Sequence, residues 1–428
     1  LLFERHRQLA ICHVNFCFCF AEHVRKIFVE PRDPFDNLLL KMELVEVKTT
    51  AEKGRGLFAR QPIKAGTVLF EESPLVSSQF CWNAAYGYLA CEYCLRPLET
   101  AECNVRRLAS DFAIDLPYPE CCPVQEQLER HTRCADCGTL YCSQVCLSDA
   151  LERYHKGLCL GANKDNASHP VNALIDFWKK THYPPETSSI LLIIKIIGMF
   201  KQIPDVQSKF DDFVSQAVNE DLEIFHKMLG KDFANQIEQL YALLVNAFEP
   251  TAHERLQWLT LSGFRSLLAL IGTNGQGIGT SSFADWVRNV SELELQDKQR
   301  ETVDALIDGL YTKLDDVVGS FLNNEGSALY SLQSKVNHSC APNAECQFPH
   351  SNNVLALTTV QDIAAGEEIC ISYLDECALE RSRHSRQKML RENYLFQCQC
   401  EKCESQVNDP DETSEDEDDE EEMDDDSD

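Results

Sequence analysis

The segment Asn337-His338-Ser339-Cys340-Ala341-Pro342-Asn343 decides the fold, read together with Gly366-Glu367-Glu368-Ile369-Cys370-Ile371-Ser372-Tyr373 and Phe396-Gln397-Cys398-Gln399-Cys400-Glu401-Lys402-Cys403. The last of these holds three thiols at C-x-C-x2-C spacing, one fewer than the four N or S ligands of a structural zinc site. A fourth ligand is therefore expected from elsewhere in the chain. Glu368 to Tyr373 and Asn353 to Thr359 read as strands.

Working outward, Leu44-Val45-Glu46-Val47-Lys48 alternates apolar and polar residues as a half-buried strand does, and Lys53-Gly54-Arg55-Gly56-Leu57-Phe58-Ala59 supplies a glycine turn. Further strands are expected around Thr67 to Glu71 and Leu75 to Gln79. From His169 to Phe248 the apolar spacing is helical, with Pro184-Pro185-Glu186-Thr187-Ser188-Ser189 as a helix start. Glu292 to Asn323 reads as another helix. Gly263 to Trp286 is glycine-rich with apolar flanks, and Gly272 to Ser281, which lacks the Gly-Lys-Ser/Thr ending of a phosphate-binding loop, reads as a loop flanked by strand-like segments. The expected architecture is α+β.

Four ligand pairs mark a second metal region: Cys91-x2-Cys94, Cys134-x2-Cys137, Cys142-x3-Cys146 and His155-x3-Cys159. Eight thiolate or imidazole donors make two tetrahedral zinc sites, because such gaps present both donors of a pair to one ion. Cys103, Cys121 and Cys122 lie in the 39-residue gap between the first two pairs, lack paired spacing and are expected to be free or buried thiols.

Composition bounds the function. With 44% apolar and 25% charged residues the chain is globular rather than disordered. Of its formal charge of −30, fifteen acidic residues fall in Asp409 to Asp428, leaving −15 on the remainder. That balance disfavours a direct grip on nucleic acid and suits a basic protein partner. The 21 cysteines, without a convincing secretory signal, point to zinc in a reducing compartment. Ile11 to Ala21 imitates an apolar signal segment but contains His13 and Asn15. Ile190 to Phe200 is too short to span a bilayer and carries Lys195, so no membrane association is expected. Arg381, Arg383, His384 and Arg386 are expected to form a solvated helix face.

These segments, in this order, resemble a SET domain with its post-SET zinc site, and the four ligand pairs resemble a MYND finger. A finger interrupting the SET halves is the pattern of the SMYD family, and the resemblance runs from about Leu44 to the end. Gly272 to Ser282, Arg381 to Arg386 and the acidic tail, without the long helical C-terminal domain of other members, place it nearest one branch. The resemblance implies a β-rich SET domain split by a MYND finger and a helical insertion. The implied divisions are an uncertain extension (1–42), SET N-terminal part (43–90), finger (91–159), helical insertion (160–262), SET C-terminal part (263–395), post-SET segment (396–403) and acidic disordered tail (404–428).

The implied activity is protein-lysine N-methyl transfer from S-adenosylmethionine to histone tails or other basic proteins such as ribosomal proteins. The alternative is an adaptor whose finger recruits proline-rich partners while the SET fold is inactive. Three zinc ions are implied: Cys91, Cys94, Cys142 and Cys146 on one, Cys134, Cys137, His155 and Cys159 on the second, and Cys340 joining Cys398, Cys400 and Cys403 on the third. Tyr373 corresponds to the family's catalytic tyrosine and Tyr394 to its second channel tyrosine. Lys53, Gly54, Arg55, Gly56, Asn274, Asn337, His338, Tyr373 and Phe396 would hold the cofactor, with Lys53 and Arg55 meeting its carboxylate. A monomer acting in nucleus and cytoplasm is expected.

Overall fold

The alternating Leu44 to Thr50 segment forms β1 (Val45–Thr50), which pairs antiparallel with β2 (Gly54–Ala59) from Val45↔Ala59 to Thr50↔Gly54. Gly54 closes the turn at φ +70, a conformation strained for any residue with a Cβ. The structure is a computed structural model that describes residues 43–84, 86–181, 189–214, 233–248, 257–319 and 322–410. The chain divides into two units, Leu1–Asp36 and Asn37–Asp428, and every described residue lies in the second. The leader before Glu43, the helix start at residues 184–188 and the acidic run from residue 411 onward lie outside the described residues.

The remaining strands are β3 (Val68–Glu72), β4 (Val76–Gln79), β5 (Thr132–Arg133), β6 (Leu140–Tyr141), β7 (Gln276–Thr280), β8 (Asn324–Leu329), β9 (Asn337–His338), β10 (Ala344–Gln347), β11 (Leu355–Thr359) and β12 (Glu368–Ile371). They build small sheets in the orders β1-β2-β12-β9, β10-β11-β3 and β4-β8-β7, with β5-β6 as a separate ribbon. Inward residues of the three larger sheets share one core, including Val45, Leu57, Leu69, Ile278, Leu357 and Ile369. Each such side chain contributes roughly 1.5–3 kcal/mol on burial. The sheets therefore fold as one body although β3 and β11 are far apart in sequence.

The longer helices are α1 (Ala101–Leu108), α2 (Gln144–Ala150), α3 (Pro170–Thr181), α4 (Ile190–Gln202), α5 (Phe233–Phe248), α6 (Leu261–Asn274), α7 (Ser282–Ser291), α8 (Asp297–Val318) and α9 (Arg383–Tyr394). Helix α4 is buried almost throughout, and its one central charge, Lys195, is 5% exposed. The ammonium donates to the carbonyls of Ser77 (2.9 Å) and Glu92 (2.8 Å) and pairs with the Glu92 carboxylate at 2.6 Å. A charge buried this deeply is tolerated because every donor has a partner. It also pins the helical segment to β4 and to the metal-bearing finger.

The glycine-rich stretch departs from the loop expectation. Phe264, Leu267, Leu268 and Ile271 recur at helical spacing and make α6, capped by Thr260 Oγ1 accepting from Gly263 N–H at 3.0 Å. Gln276 to Thr280 is itself a strand, paired with β8 from Gln276↔Ala328 to Thr280↔Asn324. Glycine is required at 326, where a Cβ would lie 2.3 Å from the Ser78 carbonyl oxygen.

Candidate methyl-transfer site and zinc centres

The ligand pairs converge on three quartets. Cys91, Cys94, Cys142 and Cys146 form one, Cys134, Cys137, His155 and Cys159 the second, and Cys340, Cys398, Cys400 and Cys403 the third, with all donor atoms of each within 4.8 Å of one another. Sulfur separations include 3.6 Å for Cys94–Cys142, 3.8 Å for Cys134–Cys159 and 3.6 Å for Cys340–Cys403. Tetrahedral zinc with bonds of about 2.3 Å to sulfur sets its thiolates about 3.8 Å apart, so the donor sets fit the ion. The interleaved pairing follows from the fold. Ser143 Oγ caps α2 by accepting from Cys146 N–H, which turns Cys142 and Cys146 toward the first pair. Cys103, Cys121 and Cys122 stay outside the quartets; the last two are buried in an apolar cluster with Val105 and Trp286.

The basic run at the start of α9 is a solvated face only in part: Arg381 and His384 are exposed and Arg383 is half-buried, but Arg386 is turned inward. Arg386 is 1% exposed; its guanidinium donates to Arg381 O (2.5 Å) and Gln406 Oε1 (2.6 Å) and lies 3.8 Å from Cys403 Sγ. Arg383 Nε donates to Cys403 O at 2.8 Å. Four clustered thiolates carry excess negative charge even around a dication, and a buried guanidinium offsets it. Charge pattern alone could not reveal this, because the partners come from residues 403 and 406.

A cavity of about 720 Å³ opens beside the third quartet. Lys53, Gly54 and Arg55 reach it from the β1–β2 turn, Asn274 from the end of α6, Asn337 and His338 from β9, and Tyr373, Tyr394 and Phe396 from the C-terminal segment. Gly56 does not line it. A Cβ there would fall 2.7 Å from Glu368 Oε1 and 2.9 Å from Asn337 Nδ2, so its bareness lets those two groups meet. Asn337 Nδ2 donates to Glu368 Oε1 at 2.7 Å and to Arg55 O at 3.1 Å, while Lys53 Nζ takes Glu368 Oε2 at 2.7 Å.

Glu368 thus organises one rim, a role its place in a Glu-Glu strand entry did not advertise. Arg55 pairs with Asp212 at 3.1 Å, and Lys335 lies 3.8 Å from the same carboxylate. Burial lowers the Lys335 ammonium below the ordinary lysine range, and Asp212 opposes that shift. Both expected carboxylate-binding cations are therefore already engaged by acidic side chains. Thr273 Oγ1, also lining the cavity, is buried with no hydrogen-bond partner among the described residues. A buried hydroxyl without a partner fits a cavity meant to hold a polar ligand.

Aromatic rings close the other wall. Tyr373 lies 4.8 Å from Tyr394, 5.4 Å from His338 and 6.3 Å from Phe396, centroid to centroid. Its hydroxyl donates to Val336 O at 2.8 Å, and burial, with Tyr394 beside it, pushes the phenol well above the ordinary tyrosine range. His338 Nδ1 accepts from Tyr373 N–H at 2.9 Å, which puts the proton of the neutral ring on Nε2, 3.3 Å from Cys340 Sγ. Burial lowers this imidazole to about 4. One ring therefore ties the tyrosine to the third quartet.

Tyr394 also lines a second hollow of about 440 Å³. Its floor is the β7–β8 face with Gly277, Gly279, Glu325 and Ser327, and Phe80 forms a side. Ile271, Gly272 and Gly275 at the end of α6 face this hollow, while Thr273 and Asn274 face the larger cavity. Sequence reading missed the hollow because Gly277 and Gly279 carry no side chain whose chemistry could signal it.

Residues 54–374 match the SET domain family. Over 368 residues, 85% of this chain and 87% of the relative, the chain is 54% identical to protein-lysine N-trimethyltransferase SMYD5 of Danio rerio. It is 50% identical to SMYD5 of Homo sapiens over 375 residues, 87% of this chain and 89% of that protein. Histone-lysine N-methyltransferase SMYD3 of Mus musculus is 25% identical over 371 residues, 86% of this chain and 63% of that one.

Proposed function

The chain belongs to the SET-domain family, in its SMYD branch of protein-lysine methyltransferases, and from that premise we propose that it methylates lysine on basic proteins, histones or ribosomal proteins, with the cofactor in the 720 Å³ cavity. The observation that carries this reading is the meeting of Tyr373, Tyr394, Phe396 and His338 with Asn274, Asn337 and the Lys53–Arg55 turn around one cavity. A volume of this size suits a cofactor of nucleoside and amino-acid parts. When bound, S-adenosylmethionine supplies a methyl group on an electron-poor sulfonium.

The protein's task is alignment and exclusion of water. Tyr394 borders both hollows, so the acceptor lysine enters from the smaller one and its amine passes between the two tyrosines. Tyr373, whose phenol stays neutral, is no general base; its hydroxyl oxygen and the Val336 carbonyl orient the amine, which loses its proton to solvent beforehand. The aromatic faces of Tyr373 and Tyr394 suit the positive charge of the methylated product. Phe396 would pack against the cofactor base, and Asn274 and Asn337, whose Nδ2 groups already donate to protein oxygens, would offer it their Oδ1 atoms. Zinc ions held by the three quartets would fix the finger and the cavity wall. The names of the SMYD5 relatives support carrying the reaction to the trimethyl stage.

Labelled S-adenosylmethionine incubated with the protein and a panel of histones and ribosomal proteins tests this. Lysine-bound label on a panel member, identified by mass spectrometry, supports the reading. A zinc-loaded protein that binds cofactor and labels no lysine in any protein overturns it.

A further inference from the structure

Glu325 is half-buried on the floor of the smaller hollow, in register opposite Gly279. Its backbone is fully used: the carbonyl accepts from Phe80 N–H (3.0 Å) and Asn83 Nδ2 (2.6 Å). Its carboxylate has neither hydrogen bond nor ion pair among the described residues, and burial alone raises its proton affinity. An anionic group held against an apolar wall without a cation is costly unless one arrives with a ligand. Two positions along β8, Ser327 is 6% exposed, lines the same hollow, and its Oγ is buried with no partner among the described residues. Gly277 faces it across the β7–β8 pair, and a Cβ there would meet nothing within 4 Å among the described residues. The floor thus offers open space, an unmatched acceptor charge and an unmatched hydroxyl, immediately beside the tyrosine that borders the cofactor cavity.

Resting on the methyltransferase reading, we propose that Glu325 is a specificity-determining residue that holds a cationic side chain flanking the acceptor lysine, while Ser327 Oγ bonds the backbone of the same substrate segment. Substrates are therefore lysines with an arginine or second lysine close in sequence. A cation in the hollow completes the charge balance that the protein leaves open, and the acidic character of the whole chain strengthens the approach of such a segment.

The test is binding, which does not depend on turnover. Fluorescent peptides carry norleucine, which cannot be methylated, at the acceptor position, and either arginine or its neutral isostere citrulline is walked through the flanking positions. Anisotropy is read on the full-length, zinc-loaded protein with cofactor present. At one flanking position the arginine peptide is expected to bind about tenfold tighter than the citrulline peptide, a difference of about 1.4 kcal/mol. Glu325→Gln is expected to abolish that preference, and Gly277→Val, which fills open space without a clash, to weaken both peptides. Equal binding of arginine and citrulline peptides by the wild type overturns the proposal, as does a preference that survives Glu325→Gln. Should the glutamine variant fail to fold, the wild-type contrast and the Gly277→Val variant decide. Absence of methyl transfer alongside an intact arginine preference strikes the catalytic reading and leaves the cation site standing.

Discussion

Replacing Arg386 by alanine should loosen the third metal quartet more than any single surface change. The guanidinium is 1% exposed and donates to Arg381 O, Gln406 Oε1 and Cys403 Sγ. A hydrogen bond from a charged donor contributes about 1.5–3 kcal/mol, and orphaning a buried carbonyl costs about 1–3 kcal/mol. A truncation cavity of around 100 Å³ adds about 2 kcal/mol if it does not collapse. Allowing for partial relaxation and water entry, the loss is about 4 kcal/mol. If that loss falls on the metal-bound state, zinc affinity at this quartet drops about a thousandfold. The assay is competitive chelation with zinc counted per chain, run beside a thermal melt. The account predicts one ion in three leaving at much lower chelator concentration, with a melting temperature lower by about 5–15 °C. Unchanged zinc retention and a melt within about 2 °C of wild type would refute the idea that the buried guanidinium supports the thiolates.

Gly56→Ala should weaken cofactor binding about tenfold, because its Cβ would push apart Glu368 and Asn337, whereas Gly54→Ala, which meets no clash, should cost roughly 1–2 kcal/mol of stability through its positive φ and weaken affinity by less. Calorimetric titration with cofactor separates the two. Because burial raises the Tyr373 phenol, kcat should rise with pH as the acceptor lysine loses its proton and show no downturn near pH 10, where an ordinary tyrosine ionises; a pH–rate profile checks this. Saturating cofactor should protect one zinc of three from chelation, since Phe396 to Cys400 both line the cavity and carry ligands of the third quartet. At a hundredfold excess over Kd the protection is about 2.7 kcal/mol, and equal release of all three ions with and without cofactor would contradict it.

What the sequence revealed followed local spacing. The C-x2-C and C-x3-C pairs announced metal sites because a knuckle or single helical turn fixes both donors, and the alternation at Val45–Thr50 announced a strand because one face is buried. The resemblance then supplied the long-range pairing of Cys340 with residues near 400, which no spacing rule contains. The failures lie where the deciding partner is distant. Arg386 reads as a surface charge until Cys403 and Gln406 close over it. Arg55 and Lys53 do line the cavity, but their ion pairs with Asp212 and Glu368 come from other elements and show in no local pattern. Gly272 to Ser281 reads as a loop because its glycines mask the end of α6 and interrupt β7, where only Ile278 and Thr280 carry the β-branched side chains that usually mark a strand.

The central claim is tested most directly by comparing labelled methyl transfer to lysine by wild type and Tyr373→Phe at matched zinc content and matched cofactor affinity. Phenylalanine keeps the ring that packs against Tyr394 and His338 and removes only the hydroxyl bonded to Val336 O. The account predicts that kcat falls about 10²–10³-fold while cofactor binding is retained. Equal kcat in the two proteins would contradict the placement of the reaction at this tyrosine.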